Sequence, residues 1–299
     1  MKYYRFKTFT TSYYFPKLSK KTQYMYGLYS AYGGMLSKIY WSLFKKIQFI
    51  RVLTSVKEES LPFPYSTIQN CVGKNSLLAF NMGSPGVEQK ISILGYDYST
   101  QSPFFAKFSQ KKRAMELSKN EIQILTALKD TGIATTLFDY KITDNYVFLK
   151  TECVQGTRPQ SRNINEKVVE IAIQLSKIHL TDLKEKENIQ YSFSHGDFCP
   201  WNFLVCDGNL RLIDWEMAAD RPLGYDIFTY LFQTSFLFEE KALTDILKIN
   251  ESYIHAYFQA FDIIDYYPYL KEFANFKLKE TSPDSSLYPK YQTLYNFCN

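Results

Sequence analysis

The first 57 of the chain's 299 residues contain no aspartate and no glutamate. Eleven cations therefore stand there uncompensated: Lys2, Arg5, Lys7, Lys17, Lys20, Lys21, Lys38, Lys45, Lys46, Arg51 and Lys57. The rest of the chain holds 24 basic and 30 acidic residues, so a +11 segment is joined to a −6 body. Long apolar runs are missing as well. No stretch reaches the roughly 18 apolar residues that a bilayer-spanning helix needs. The start is aromatic and dotted with lysines and lacks the apolar core of a signal peptide, so a cytoplasmic protein is expected. No Cys-x-x-Cys occurs among Cys71, Cys153, Cys199, Cys206 and Cys298, which speaks against structural zinc and for a reducing compartment. Internal repeats and low-complexity tracts are absent too.

What remains is globular. Apolar residues make up 45% of the chain and charged ones 22%, and the length suits two domains or one domain with two lobes. In the basic segment tyrosine and phenylalanine crowd from Tyr3 to Phe49. Leu36, Ile39/Tyr40, Leu43, Ile47 and Ile50 recur there at helical spacing, with Lys38, Lys45 and Lys46 off the stripe. Such a helix either lies on an anionic membrane or glycan, or packs on the body of the protein. Nucleic acid is not expected, because no recognised binding module accompanies the charge.

The chain is organised around Ser194–Glu216. Asp197 and Asn202 sit in a loop punctuated by Gly196 and Pro200. Two apolar runs follow, Phe203–Cys206 and Leu210–Ile213, around Asp207-Gly208-Asn209, which is a hairpin signal. A hairpin centred on Gly208 is expected to place Asn202 opposite Asp214. Hard oxygen ligands gathered beside Asp197 suit Mg²⁺, which takes few protein ligands and completes its shell with phosphate and water.

The series His195-Gly196-Asp197, Asn202, Ile213-Asp214-Trp215-Glu216 and Gly224-Tyr225-Asp226 resembles the aminoglycoside phosphotransferase and choline kinase family. The resemblance implies an α+β, two-lobed protein kinase-like fold, with a small antiparallel-sheet N-lobe and a mainly helical C-lobe. On that frame residues 1–70 are a basic aromatic extension, 71–155 the N-lobe and 156–299 the C-lobe. The implied activity moves the γ-phosphate of ATP, or GTP, to a hydroxyl of a small acceptor: a saccharide or glycan intermediate, an amino alcohol or an aminoglycoside antibiotic. A catalytically inactive, kinase-like binding module is the alternative. The implied roles are Asp197 as base and Asn202 and Asp214 as Mg²⁺ ligands, with Glu216 either a further metal ligand or an aid to the acceptor. His195 supports the loop, and Asp226 either braces it or caps a helix.

Ser76–Phe80 and Val87–Gly95 are candidate strands around a loop whose Gly83, Ser84 and Gly86 could lay amides over phosphates, although the three-glycine kinase pattern is absent. Lys107, in the strand Phe104–Phe108, resembles the kinase lysine that holds the α- and β-phosphates. On the following helix, Arg113–Lys129, Glu121 falls on the apolar stripe and needs a partner, so a Lys107–Glu121 pair is expected, with Glu116 as alternative. Tyr146–Thr151 runs into Glu152-Cys153-Val154, which resembles the adenine-binding hinge. Helices are predicted over Asn165–Leu180, ending at His179, over Ile227–Phe238 and over Lys241–Phe261. The acids and tyrosines of Phe261–Tyr269 either hold a cationic acceptor or are packing aromatics with solvated carboxylates.

Overall fold

The structure, a computed structural model, describes residues 1–29, 35–180, 189–237 and 239–298. The chain forms two compact units, residues 1–129 with 135–153, and residues 130–134 with 154–299.

In the first unit the strands are β1 (Lys2–Lys7), β2 (Ser12–Pro16), β3 (Ser55–Lys57), β4 (Ser76–Asn81), β5 (Lys90–Asp97), β6 (Ser102–Ser109), β7 (Leu137–Ile142) and β8 (Val147–Glu152). They form one antiparallel sheet in the order β3-β1-β2-β4-β5-β6-β8-β7. Helices α1 (Met35–Lys46), α2 (Gln48–Leu53), α3 (Tyr65–Val72) and α4 (Lys112–Ala127) accompany it. Side chains alternate across a strand, so each strand serves two cores. Tyr14, Leu78, Phe80, Ile91 and Ile93 pack on one face with Ile68 and Val72 of α3. Tyr13, Phe15, Leu77, Ala79 and Leu94 pack on the other with Met25 and with Trp41 and Phe44 of α1. Both faces are covered, which is why β4 is buried from Ser76 to Phe80 without alternation.

The first 70 residues are therefore not an appendage before an N-lobe at 71–155. They share a compact unit with residues 71–129 and 135–153, because β2 pairs directly with β4 (Tyr13 opposite Asn81, Tyr14 opposite Phe80). The expected stripe on α1 is also corrected. Trp41 and Phe44 face the sheet, whereas Leu36, Ile39, Leu43 and Ile47 are exposed. The strand expected from Val87 begins only at Lys90, residues 87–89 belonging to the loop.

In the second unit α5 (Glu166–Ser176) starts at Asn165, whose side chain accepts the Val168 amide at 3.2 Å. It stops short of His179, since the last turn tightens, with the Ile178 amide on the Leu175 carbonyl at 3.0 Å. Strands β9 (Tyr191–Ser194) and β12 (Ala219–Pro222) pair, and β10 (Phe203–Cys206) with β11 (Asn209–Leu212) makes the expected hairpin. Helices α6 (Tyr225–Ser235), α7 (Leu243–Gln259), α8 (Tyr267–Glu280) and α9 (Tyr288–Phe297) complete it. The Phe228 ring of α6 lies 5.7 Å from that of Phe258 of α7 and 5.5 Å from that of Phe273 of α8, centroid to centroid. The last residue predicted for α6, Phe238, lies outside the described residues. Tyr266 and Tyr269 are buried, while Asp262 and Asp265 are exposed, so the 261–269 stretch is packing aromatics with solvated acids. The α+β class holds, with a sheet-rich N-terminal unit and a mainly helical C-terminal one. No helix among the described residues is long and apolar enough to cross a membrane.

Candidate active site

The loop after β9 is held by its backbone. Asp226, 3% exposed on the first turn of α6, accepts the Ser194 hydroxyl at 2.6 Å, the His195 amide at 2.7 Å and the Gly196 amide at 3.1 Å. A buried carboxylate with three donors is well satisfied, and its place as loop brace is what the geometry gives. It is not a helix cap; Gly224, at φ 86°, occupies that position. Gly196 has φ 82°, and a Cβ there would run into the Met217 carbonyl, so the loop lies directly against the turn that follows Asp214.

His195 is fully buried, its Nε2 3.1 Å from the Ile213 carbonyl and its ring 4.8 Å from that of Trp215. It ties the loop to the hairpin and presents no atom for chemistry. Asp197, next along, is half-buried. Its Oδ2 accepts the Asn202 Nδ2 at 2.7 Å, and the same nitrogen reaches the Asp197 carbonyl at 2.8 Å. Its Oδ1 accepts the Cys199 thiol at 3.0 Å. Burial, and then the neighbouring Asp197 charge, push that thiol far above its ordinary range, so it stays protonated and donates. From sequence Cys199 is only a packing residue; its bond to Asp197 was not legible there.

The hairpin differs from the expected register. Asp207 (φ 49°) and Gly208 (φ 79°) alone make the turn, Asn209 already being in β11. Positive φ at both central residues is the type I′ turn that matches strand twist. The register, Phe203 opposite Leu212, puts Asn202 opposite Ile213, whose amide donates to the Asn202 carbonyl at 3.0 Å. Asp214 is thus one residue beyond the expected partner, in the left-handed region (φ 71°, ψ 63°). A non-glycine residue held there is uncommon and clusters at functional sites. A short turn, Trp215–Met217, follows, and a carboxylate oxygen of Asp214 lies within 4.8 Å of one of Glu216.

These donors fit a hard divalent cation. Two carboxylates lie within reach of one ion, and the Asn202 amide spends its nitrogen on Asp197, leaving its oxygen as the ligand-type atom.

In the first unit Lys107 of β6 and Glu121 of α4 are 5% and 3% exposed and meet at 2.6 and 2.8 Å. Glu116 is instead 3.7 Å from Arg113 on the surface. The loop between β4 and β5 forms a groove lined by residues 83–90 and Ser92. There the Gly83 amide is already taken by Asn81 Oδ1 at 3.0 Å, which leaves Ser84 and Gly86 as the loop's candidate phosphate donors. Lys111 grips the Gly86 carbonyl at 2.6 Å. At the proposed hinge the Glu152 amide donates to the Thr136 carbonyl (2.9 Å), and Val154 opens the second unit.

Lys277 was missed from sequence. It continues the inward stripe Leu270, Phe273, Ala274 of α8, and its ammonium lies 4.5 Å from the Tyr225 ring centroid. Burial lowers its pKa to about 8, the attraction of Glu280 and Asp197 opposing it and the nearby Arg221 charge adding to it. A lysine at i+3 and i+4 from a buried pair is the signal that could have found it. Arg221 lies over the other contact of that ring, 4.4 Å from its centroid, and is bound to Glu280 at 2.8 Å.

Residues 183–273 match the model of a phosphotransferase enzyme family. Among curated proteins the chain is similar to the dual specificity protein kinase TTK of Mus musculus, 26% identical over 165 residues, which is 51% of this chain and 18% of that protein. It is also similar to the Danio rerio protein of that name, 31% identical over 110 residues, 36% of this chain and 11% of the other. The chain thus spans less than a fifth of the length of either relative. Similar solved structures include an amicoumacin kinase, at 11% identity and TM-score 0.47, covering 70% of this chain and 84% of the other. An aminoglycoside-3'-phosphotransferase of type VIII is another, at 14% identity and TM-score 0.45, covering 69% and 87%. The stretch that carries Asp197, Asn202, Asp214 and Glu216 bears the signature of the phosphotransferase enzyme family, the aminoglycoside phosphotransferase-like group that its motifs resemble.

Proposed function

We propose that the chain transfers the γ-phosphoryl group of ATP, or GTP, to a hydroxyl of a small acceptor. The observation that carries this reading is the Asp197 carboxylate, oriented by Asn202 at 2.7 Å on a loop whose backbone is fixed by Asp226. Phosphoryl transfer has a loose transition state, so positioning and charge neutralisation do most of the work. Asp197 accepts or orients the hydroxyl proton, and the Asn202 and Cys199 donors hold its two oxygens in place. Asn202, Asp214 and Glu216 would hold Mg²⁺, which when bound would neutralise charge on the donor phosphates. Lys107, aimed by Glu121, takes the α- and β-phosphates. Ser84 and Gly86 contribute amides, the first unit thus supplying the nucleotide contacts and the second the acceptor side. The main chain from Glu152 to Val154 meets the adenine edge.

Lys277 shares its electrostatic field with Asp197. That favours a neutral or anionic acceptor, such as a saccharide or glycan intermediate, over a polycationic aminoglycoside or an amino alcohol. The charge of residues 1–57 suits an anionic partner, membrane or glycan, in a cytoplasmic protein that visits the inner membrane face. An inactive binding module is disfavoured, because a scaffold has no use for an oriented Asp197 and a buried Lys107–Glu121 pair together.

ADP release with Mg·ATP over a panel of hydroxylated acceptors tests the reading. Turnover above the acceptor-free rate is expected with a sugar or sugar phosphate. Stabilisation by Mg·ATP with no turnover on any acceptor would return the inactive module.

A further inference from the structure

α1 and α2 pack on the sheet by one side only. Trp41 and Phe44 are 7% and 0% exposed, their rings stacked 5.6 Å apart, with Phe6 4.8 Å from Trp41 and 5.1 Å from Phe44. The opposite side is apolar too. Leu36, Ile39, Leu43, Ile47, Phe49 and Leu53 are exposed by 82, 44, 41, 41, 69 and 69%. On α1 the first three follow at i, i+3 and i+7, one face of a helix, and Phe49 and Leu53 repeat at i+4 on α2. Monomeric soluble proteins rarely leave so much apolar surface together in water unless something covers it.

The platform is rigidly joined. Arg51 of α2 donates from Nη1 to the Lys45 carbonyl at 2.8 Å and to the Tyr26 hydroxyl at 3.0 Å, so α2 is pinned to the end of α1. Lys38, Lys45 and Lys46 are exposed beside the apolar face, and no acid interrupts residues 1–57. Glu58, the first acid, is already paired with the N-terminal ammonium at 3.1 Å.

We propose that the outward faces of α1 and α2 dock on a lipid bilayer rich in anionic headgroups. The apolar residues enter the boundary between headgroups and acyl chains, and the lysines reach sideways to the phosphates on flexible stems. Charge selects this occupant. A second copy docking by the same faces would set Lys38, Lys45 and Lys46 against their own counterparts with no acid among them, and a protein partner of ordinary composition would not require a segment without a single acid. The inference is independent of the phosphotransfer reading, since no residue assigned to that chemistry lies in the platform.

Co-sedimentation of the full chain with vesicles tests it, using phosphatidylcholine alone and a mixture containing phosphatidylglycerol, at low and high salt. Binding to the anionic vesicles at low salt is expected, with loss on raising salt past the point where the screening length falls below about 5 Å. Ile39→Glu with Leu43→Glu should weaken binding by tenfold or more, and Lys45→Glu with Lys46→Glu by several-fold; all four sites are exposed, so an unchanged melting temperature is the control. Absence of binding at low salt overturns the proposal. Binding that survives the Ile39/Leu43 change overturns it as well, as would equal retention by a soluble sulfated polysaccharide. Concentration-dependent dimerisation abolished by the same pair, without vesicle binding, would identify a second copy as the occupant.

Discussion

Asp197 receives one hydrogen bond on each carboxylate oxygen, from Asn202 and from Cys199, and both donors come from its own loop. Asp197→Asn should therefore fold normally and bind nucleotide while turnover falls by about 10²-fold or more, the size of a lost general base. Near-normal kcat at an unchanged melting temperature would remove Asp197 from the role. Lys277 offers a second test at this scale. Its ammonium is charged in the unfolded chain up to its ordinary pKa of 10.5 but only up to about 8 in the folded protein. Below pH 8 both states carry the proton and the folded state bears the cost of burying the charge. Between 8 and 10.5 the unfolded chain binds more protons, so stability rises with pH there. The fall in pKa corresponds to about 3 kcal/mol, more than the roughly 1 kcal/mol returned by a cation over an aromatic ring. Lys277→Met should raise the melting temperature at pH 7, and the gain should shrink by pH 9.5. A lower melting temperature at pH 7 would mean that the ammonium is held by a net favourable contact.

At the scale of elements, the hairpin shows what was legible and what was not. Asp-Gly between two apolar runs announced β10 and β11, because only a few residues tolerate positive φ. The count across the turn was off by one residue, since both Asp207 and Gly208 take positive φ and Asn209 can then pair with Cys206. A one-residue error in register matters: it moved Asp214 from a ladder position to a left-handed corner. Glu121 was legible because a carboxylate on an apolar stripe demands a cation, and Lys277 continues such a stripe in the same way, whereas the bond of Cys199 to Asp197 depends on loop geometry that the sequence does not display. Asp214→Ala should abolish Mg²⁺-dependent stabilisation by ATP in a thermal-shift assay while the nucleotide-free protein stays folded; full retention would exclude Asp214 from the metal site. Two glycines separate turn geometry from packing. A Cβ at Gly208 meets nothing within 4 Å, so Gly208→Ala pays only the left-handed penalty of about 1 kcal/mol. Gly196→Ala adds a collision with the Met217 backbone and should cost several times more in denaturant unfolding. Equal costs would mean that the loop does not lie against that turn.

For the whole molecule, charge sets residues 1–57 apart from the rest of the chain, while strand pairing joins them to it. Charge is a surface property; the aromatic residues Tyr3, Phe6 and Phe15, each at most 1% exposed, are what tie the segment down. Burying each contributes on the order of 2 kcal/mol. Deleting residues 1–57 would bare the β4 edge and both aromatic cores, so the truncated chain should be insoluble or lack a cooperative unfolding transition. A soluble truncation with unchanged near-ultraviolet dichroism would show that these strands are dispensable.

The first unit closes at Cys153, apart from the short excursion at 130–134. Every strand of its sheet has thus left the ribosome soon after that residue is made. At 5–20 residues per second the ribosome needs on the order of ten seconds more to supply residues 154–299. For the first few seconds of that interval, until about 44 more residues have been added, the nascent chain has its sheet, its Lys107–Glu121 pair and its outward-facing helices in hand, and none of the loop that carries Asp197.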